Sequence, residues 1–166
     1  GKSLALVSDA GMPSICDPGE DLVKAVKSSG LHIVCIPGAC AALNAIVSSG
    51  FPSSKFTFEG FLPKKSSERE KILLEISKNQ KTSIIFESPH RLMQLLEELK
   101  EYCGREREIS VSRELTKRFE EHIGKTIGEV FDNFKGREIL GEFTIVVKGV
   151  SESKIQPEND HFVIKK

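Results

Sequence analysis

Two short apolar runs, each breaking off at a loop of Gly, Pro and small residues, constrain this chain more than any other feature. Residues 4–7 stop at Ser8-Asp9-Ala10-Gly11-Met12-Pro13-Ser14-Ile15-Cys16-Asp17-Pro18-Gly19, and residues 31–36 stop at Pro37-Gly38-Ala39-Cys40-Ala41-Ala42. Short apolar runs bounded by turn signals read as buried strands. Between them Leu22, Val23, Ala25 and Val26 recur at helical spacing, and Gly30 supplies the stop. The pattern predicts one strand-helix-strand unit, with parallel strands and both loops at the same sheet edge. Asp17 reads as a helix N-cap, Pro18 as the first helical residue and Glu20 as the capping-box partner. Open α/β sheets take ligands in loops at the carboxyl ends of their strands. An ordinary strand-to-helix connection has the same composition, so one loop alone does not define a site. Two adjoining loops say more. Gly38 lets backbone approach a ligand closely, and Ala39, Ala41 and Ala42 open a helix whose N-terminus can face a polar group.

At 166 residues the chain has room for one or two small domains and a real core. The 24 basic and 24 acidic residues cancel, so any nucleic-acid contact must come from a local patch rather than bulk charge. No apolar run approaches the ~20 residues needed to span a bilayer. The opening residues carry no secretory or transit signature, and a cytoplasmic location is expected. Cys16, Cys35, Cys40 and Cys103 lack metal-ligand spacing and read as small apolar fillers in a reducing compartment; no metal site is expected. Two strands and two helices make a poor independent core, so the first domain reads as incomplete.

The segment 50–54 closes the helix of Leu43, Ile46 and Val47 and is the candidate linker. It divides the chain into a partial first α/β domain at 1–52, a mixed α/β domain at 53–150 and a tail at 151–166. Phe56, Phe58 and Phe61, alternating with Thr57 and Glu59, read as a half-buried strand. Ser67 and Glu70 offer a capping box for the helix of Ile72, Leu73 and Ile76. Residues 82–86 form a strongly apolar strand; Ser88 as N-cap and Pro89 then launch a helix through Leu92, Leu95, Leu96 and Leu99, ending near Gly104. Residues 108–114 and 118–123 read as a hairpin, Thr126 and Glu129 as a capping box, and 141–149 as a final strand. Arg105 and Arg107, set among glutamates, read as a solvated turn.

Six ordered motifs carry a resemblance. They are the Ser8 to Pro13 loop with Asp17-Pro18-Gly19, the loop from Pro37 to Ala42, Glu59-Gly60-Phe61-Leu62-Pro63, Glu87-Ser88-Pro89-His90-Arg91 and Arg113-Glu114-Leu115-Thr116-Lys117. Over roughly residues 1–150 the chain resembles the ribosomal RNA small-subunit methyltransferase I family of the tetrapyrrole-methylase-like superfamily. Met12 stands where the family usually has Thr, and Ala39 where it usually has Pro. The resemblance implies S-adenosylmethionine as donor, a cytidine ribose 2′-hydroxyl of small-subunit (16S) ribosomal RNA as acceptor, two α/β domains with the donor between them, and a homodimer. It also implies a further segment ahead of Gly1, with a Pro-Ile-Gly-Asn-Leu-type loop, so that the chain holds the rear of the first domain and all of the second and binds the donor weakly by itself.

Methyl transfer from a sulfonium depends mainly on in-line alignment, so positioning should dominate. Asp9, Ala10, Gly11, Pro13 and Ile15, with Gly38, Cys40 and Ala41, are the expected donor-binding residues. A ribose hydroxyl is a weak acid that a base or charge would assist, and Glu87, His90, Glu114 and Lys117 are the candidates. Glu87 and Glu114 have a structural alternative in pairing with Arg91 or Arg113. Lys64, Lys65, Arg69, Arg91, Arg113 and Arg118 are the expected RNA contacts, and Phe61 can stack on a splayed base. Two rival readings stay open: a related methyltransferase acting on a tetrapyrrole or other small molecule, and an inactive dimerising fragment.

Overall fold

The structure, a computed structural model, describes residues 1–151 of the chain. In chain order the elements are α1 (Glu20–Ser28), α2 (Ala41–Ser49), β1 (Phe56–Phe61), α3 (Ser66–Lys78), β2 (Thr82–Glu87), α4 (Leu92–Cys103), β3 (Glu108–Arg113), β4 (Glu121–Thr126), α5 (Ile127–Phe134) and β5 (Phe143–Val147). The strands form one mixed sheet of order β1-β2-β5-β3-β4, with β1 and β2 parallel and every other pair antiparallel. The α/β class follows from the sequence as expected.

Alternation along the strands divides the core into two layers. Ile85, Ile109, Val111, Phe143, Ile145 and Val147 face a large cluster with Leu73 and Ile76 of α3, Leu92, Leu95, Leu96 and Leu99 of α4, and Ile127, Val130 and Phe134 of α5. Ile84 and Val146 point the other way, onto Ala42, Ala45 and Ile46 of α2. β2 and β5 are interior strands covered on both faces, which is why Ile84, Ile85 and Phe86 and Ile145, Val146 and Val147 run apolar without alternation. In its packing α2 belongs to this sheet, although it precedes the candidate linker.

β1 carries an irregularity that simple alternation hides. Phe58 pairs with Ile84 and Gly60 with Ile85, so Glu59 is an extra residue and the strand bulges. Gly60 takes φ +61° there, a conformation that favours glycine. The bulge returns Phe61 to the face of Phe56 and Phe58. The Phe58 and Phe61 rings meet Phe86 edge-on, with centroids 5.0 and 5.8 Å away.

Several local expectations need correction. Residues 4–7 and 31–36 join no β-ladder among the described residues, and Leu4, Val7, Leu31, Val34 and Ile36 are exposed. Two strands and one crossover helix bury too little surface to hold a parallel ladder by themselves. α1 forms where expected but buries no residue. It starts at Glu20 behind Gly19, without a side-chain cap, rather than at Asp17 and Pro18. At its other end Gly30 N–H donates to the Lys27 carbonyl and Leu31 N–H to that of Val26, closing the turn as a Schellman motif on the expected glycine.

α3 begins at Ser66 without a side-chain cap, and it is Ser66, not Ser67, whose hydroxyl donates to Glu70, 2.6 Å away. α4 begins at Leu92, because residues 88–91 form a separate turn closed by Arg91 N–H on the Ser88 carbonyl. Thr126 does cap α5, accepting from Glu129 N–H at 3.2 Å. β4 lies three residues later than expected because the hairpin loop takes in residues 114–120. Arg107 is no solvated turn residue: its guanidinium ties the Lys148 and Ser77 carbonyls together at 3.0 and 2.8 Å. Cys40 and Cys103 pack against the two core clusters, whereas Cys16 and Cys35 are exposed in the segments without a ladder. The expected tail at 151–166 lies outside the described residues except for Ser151. No helix among the described residues is long and apolar enough to cross a membrane.

Candidate functional site

Without a ladder beneath them, the two Gly-containing loops still converge. A Cβ added to Gly11 would stand 3.1 Å from the Ala39 carbonyl oxygen, and one added to Gly38 would stand 3.3 Å from Met12 Cγ. A third approach ties the first loop to the sheet: a Cβ at Gly60 would lie 2.8 Å from Cys16 Sγ. The loops after both apolar runs therefore meet each other, and the first of them reaches the carboxyl end of β1. Ser14 and Cys16 take φ +68° and +54°, backbone strain of the kind found where loops grip ligands.

α2 opens from this junction. Cys40 is its N-cap and makes no side-chain cap bond, and the first helical bond runs from Asn44 N–H to the Cys40 carbonyl. The N–H groups of Ala41, Ala42 and Leu43 thus have no partner within the helix and present a positive end. Of the expected donor-binding residues, Asp9, Ala10, Gly11, Ile15, Gly38 and Ala41 are exposed, while Pro13 and Cys40 are half-buried. Small residues at the contact points and open backbone donors suit a ligand with an adenosyl body and a carboxylate.

The expected catalytic and RNA-contacting residues gather at the carboxyl ends of β1, β2 and β3, and their surroundings differ sharply. Glu87 ends β2 with its side chain wholly buried, accepts Ser88 N–H at 2.9 Å, and lies between Arg69 Nη2 at 3.7 Å and Arg91 Nε at 3.5 Å. Arg69 is itself only 3% exposed and pairs with Glu98 at 2.7 Å, so its guanidinium is inside the protein and not available to a surface phosphate. Arg91 donates to the Leu62 carbonyl at 2.8 Å. Arg113 donates to the Leu140 carbonyl at 2.6 Å and faces Glu121 at 3.5 Å. Lys64, Lys65 and Arg118 are exposed, as is His90 on its turn.

Glu114 and Lys117 form a closed network. Glu114 Oε1 accepts from Glu142 N–H at 2.9 Å and from Lys117 Nζ at 3.0 Å, and Lys117 also reaches Glu142 at 2.9 Å. The backbone N–H of Glu142, then the Lys117 ammonium, hold the Glu114 carboxyl below the usual glutamate range. Glu142 and Glu114 in turn push the Lys117 ammonium up. Both groups stay charged at neutral pH, which makes the Glu114 carboxylate a weak proton acceptor and leaves the Lys117 ammonium no lone pair to accept with.

A further polar chain crosses the β3–β4 pair. Ser112 and His122 face each other in register, Ser112 Oγ lies 3.1 Å from His122 Nδ1, and His122 Nε2 lies 2.7 Å from Glu120 Oε1. Glu120 also accepts Thr116 N–H at 2.6 Å, and the imidazole, then this N–H, holds its carboxyl low. With Glu120 ionised, Nε2–H donates to it, and in the neutral ring Nδ1 accepts from the Ser112 hydroxyl. The period-2 pattern sets Ser110 and Ser112 opposite Ile109 and Val111, but only the strand register brings His122 across.

An α/β chain whose paired glycine loops pack together at the end of a mixed sheet belongs to a recognisable class. Residues 1–130 match the family described as Tetrapyrrole (Corrin/Porphyrin) Methylases, and the chain belongs to that family. Among curated proteins it is similar to ribosomal RNA small subunit methyltransferase I of Bacillus subtilis, with 45% identity over 158 residues, 95% of this chain and 54% of that protein. The protein of the same name from Vibrio cholerae is 44% identical over 92% of this chain and 54% of its own length. The chain thus spans about half the length of these relatives. Among solved structures, the methyltransferase CobJ superimposes with a TM-score of 0.63 at 19% identity, covering 89% of this chain and 65% of that one. Uroporphyrin-III C-methyltransferase from Thermus thermophilus, solved with S-adenosyl homocysteine, gives 0.54 at 17% identity, covering 82% of this chain and 62% of that one. These likenesses show the shared fold.

Proposed function

We propose that the protein transfers a methyl group from S-adenosylmethionine to small-subunit ribosomal RNA, at the ribose 2′-hydroxyl of a cytidine. The convergence of Gly11 with Ala39, Gly38 with Met12 and Cys16 with Gly60 carries this reading, because it builds a cradle of small residues against a sheet end that bears the cationic loops. The greater identity to ribosomal RNA methyltransferases than to corrin and porphyrin enzymes supports RNA over a tetrapyrrole as acceptor.

When bound, the sulfonium donor supplies an electrophilic methyl group. The open N–H groups at the start of α2 would hold its carboxylate, and Gly11, Gly38 and Ala41 would let its body lie against the backbone. Lys64, Lys65 and Arg118 would hold phosphates, and Phe61, 52% exposed, would stack on a splayed base. Among the four expected catalytic residues, Glu87 is buried and Glu114 and Lys117 hold each other charged. We therefore assign acceptance of the hydroxyl proton to His90. The family resemblance supports a homodimer working in the cytoplasm.

The test is methyl transfer from labelled donor to small-subunit ribosomal RNA by the full-length protein, followed by mapping of the modified nucleotide. Label in a 2′-O-methylcytidine is expected. Label in a base would keep RNA as the acceptor but overturn the ribose assignment, and label only in a porphyrinoid would move it to the small-molecule reading that the CobJ-like fold allows. A dimer that binds donor but transfers nothing would mark a non-catalytic role.

A further inference from the structure

The ion cluster beneath the β1 and β2 loops is poorly built for stability. The side chains of Arg69 and Glu87 are 4% and 0% exposed, yet Arg69 Nη1 and Nη2 and Glu87 Oε2 have no hydrogen-bond partner among the described residues. Buried charges left short of partners stabilise less than well-packed apolar residues of similar volume. The connections of the cluster are more specific. Glu87 Oε1 accepts Ser88 N–H in the turn after β2 and faces Arg91 Nε; Arg91 Nη2 donates to the Leu62 carbonyl in the loop after β1; and Arg69, also anchored on Glu98, approaches Glu87 from α3.

We propose that Glu87 is a positioning residue: held between Arg69 and Arg91, it locks the 62–65 loop to the 88–91 turn and sets the spacing of Lys64, Lys65 and His90. Its burial keeps it from substrate, so it acts through these loops. The inference rests on the proposed RNA reading for its kinetic consequence, but the loop locking itself does not.

Two measurements on the full-length protein separate these parts. In Glu87→Gln, which keeps the side-chain shape and removes the charge, amide exchange at Lys64, Lys65, Ser88, His90 and Arg91 is expected to accelerate at least tenfold without any ligand. Amides of Ile84 and Ile145 should stay protected. With RNA, KM should rise at least tenfold, while donor affinity stays within twofold and the pH dependence of kcat keeps its shape. The double variant Arg69→Met/Glu87→Leu repacks the site with apolar side chains. It should remain folded yet keep the fast exchange and raised KM. Wild-type exchange and KM in that variant would overturn the proposal, leaving only packing. Loss of kcat with a changed pH profile in Glu87→Gln would also overturn it, by making Glu87 a catalytic acid or base. If the wild type transfers no methyl to RNA, the functional reading fails, while the exchange experiment still decides the loop locking.

Discussion

At Gly60 two requirements coincide: a bulge that needs φ +61° and a Cys16 sulfur that leaves no room for a side chain. Gly60→Ala must adopt a conformation costing about 1–2 kcal/mol and push the first loop away from the sheet. Donor affinity, measured by isothermal titration on the full-length protein, is expected to weaken at least tenfold. Unchanged affinity would mean that the Cys16 contact does not shape the cradle. The Glu114–Lys117–Glu142 network gives a pH prediction whose sign is fixed. Glu114 is lowered on folding, so its contribution is present above the ordinary glutamate value and is lost as pH falls through the lowered one. Lys117 is raised, so its contribution is present below the ordinary lysine value and is lost as pH rises through the raised one. The stability gap between wild type and Glu114→Gln should hold from about pH 6 to 9 and narrow below roughly pH 4. Thermal melts across that range provide the check.

At the scale of elements, burial separates what the fold depends on from what it merely carries. α4 buries Leu92, Leu95, Leu96 and Leu99 against the sheet, so Leu96→Ala should cost about 2–5 kcal/mol by urea unfolding. A loss below about 1 kcal/mol would show that α4 repacks or is not docked as described. Helix termini behaved less uniformly than their motifs. Thr126 caps α5 because its backbone is extended just ahead of the first turn. Ser67 lies inside α3 and Ser88 in a separate turn, where neither side chain can serve as a cap. A capping residue works only where the chain actually enters the helix. Strands fared better when central: β2 and β5 are apolar on both faces and stand out in the sequence, whereas edge strand β4 alternates exposed residues and is displaced from its expected position.

For the whole molecule, the two core layers hold residues 41–147 together, while the two opening apolar runs and α1 stay at the surface. Stability should therefore be uneven. In the 166-residue chain, hydrogen exchange at residues 4–7 and 31–36 is expected to be fast and that of β2 and β5 slow. Equal protection in both regions would mean that the opening runs find ladder partners after all. The sequence by itself determined the α/β class, the central strands, the amphipathic helices and the glycine stops at Gly30, Gly50 and Gly104, because periodicity, apolar content and left-handed backbone are local properties. It also marked the loops of the candidate site through their glycines. Only the tertiary structure decided that those loops meet each other and that the first reaches Gly60, that the bulge turns Phe61 onto the face of Phe58, that Arg69 is enclosed rather than offered to a phosphate, and that His122 lies across from Ser112. Each of those outcomes depends on which strand lies beside which and in what register. Such long-range pairing leaves no mark on residue spacing.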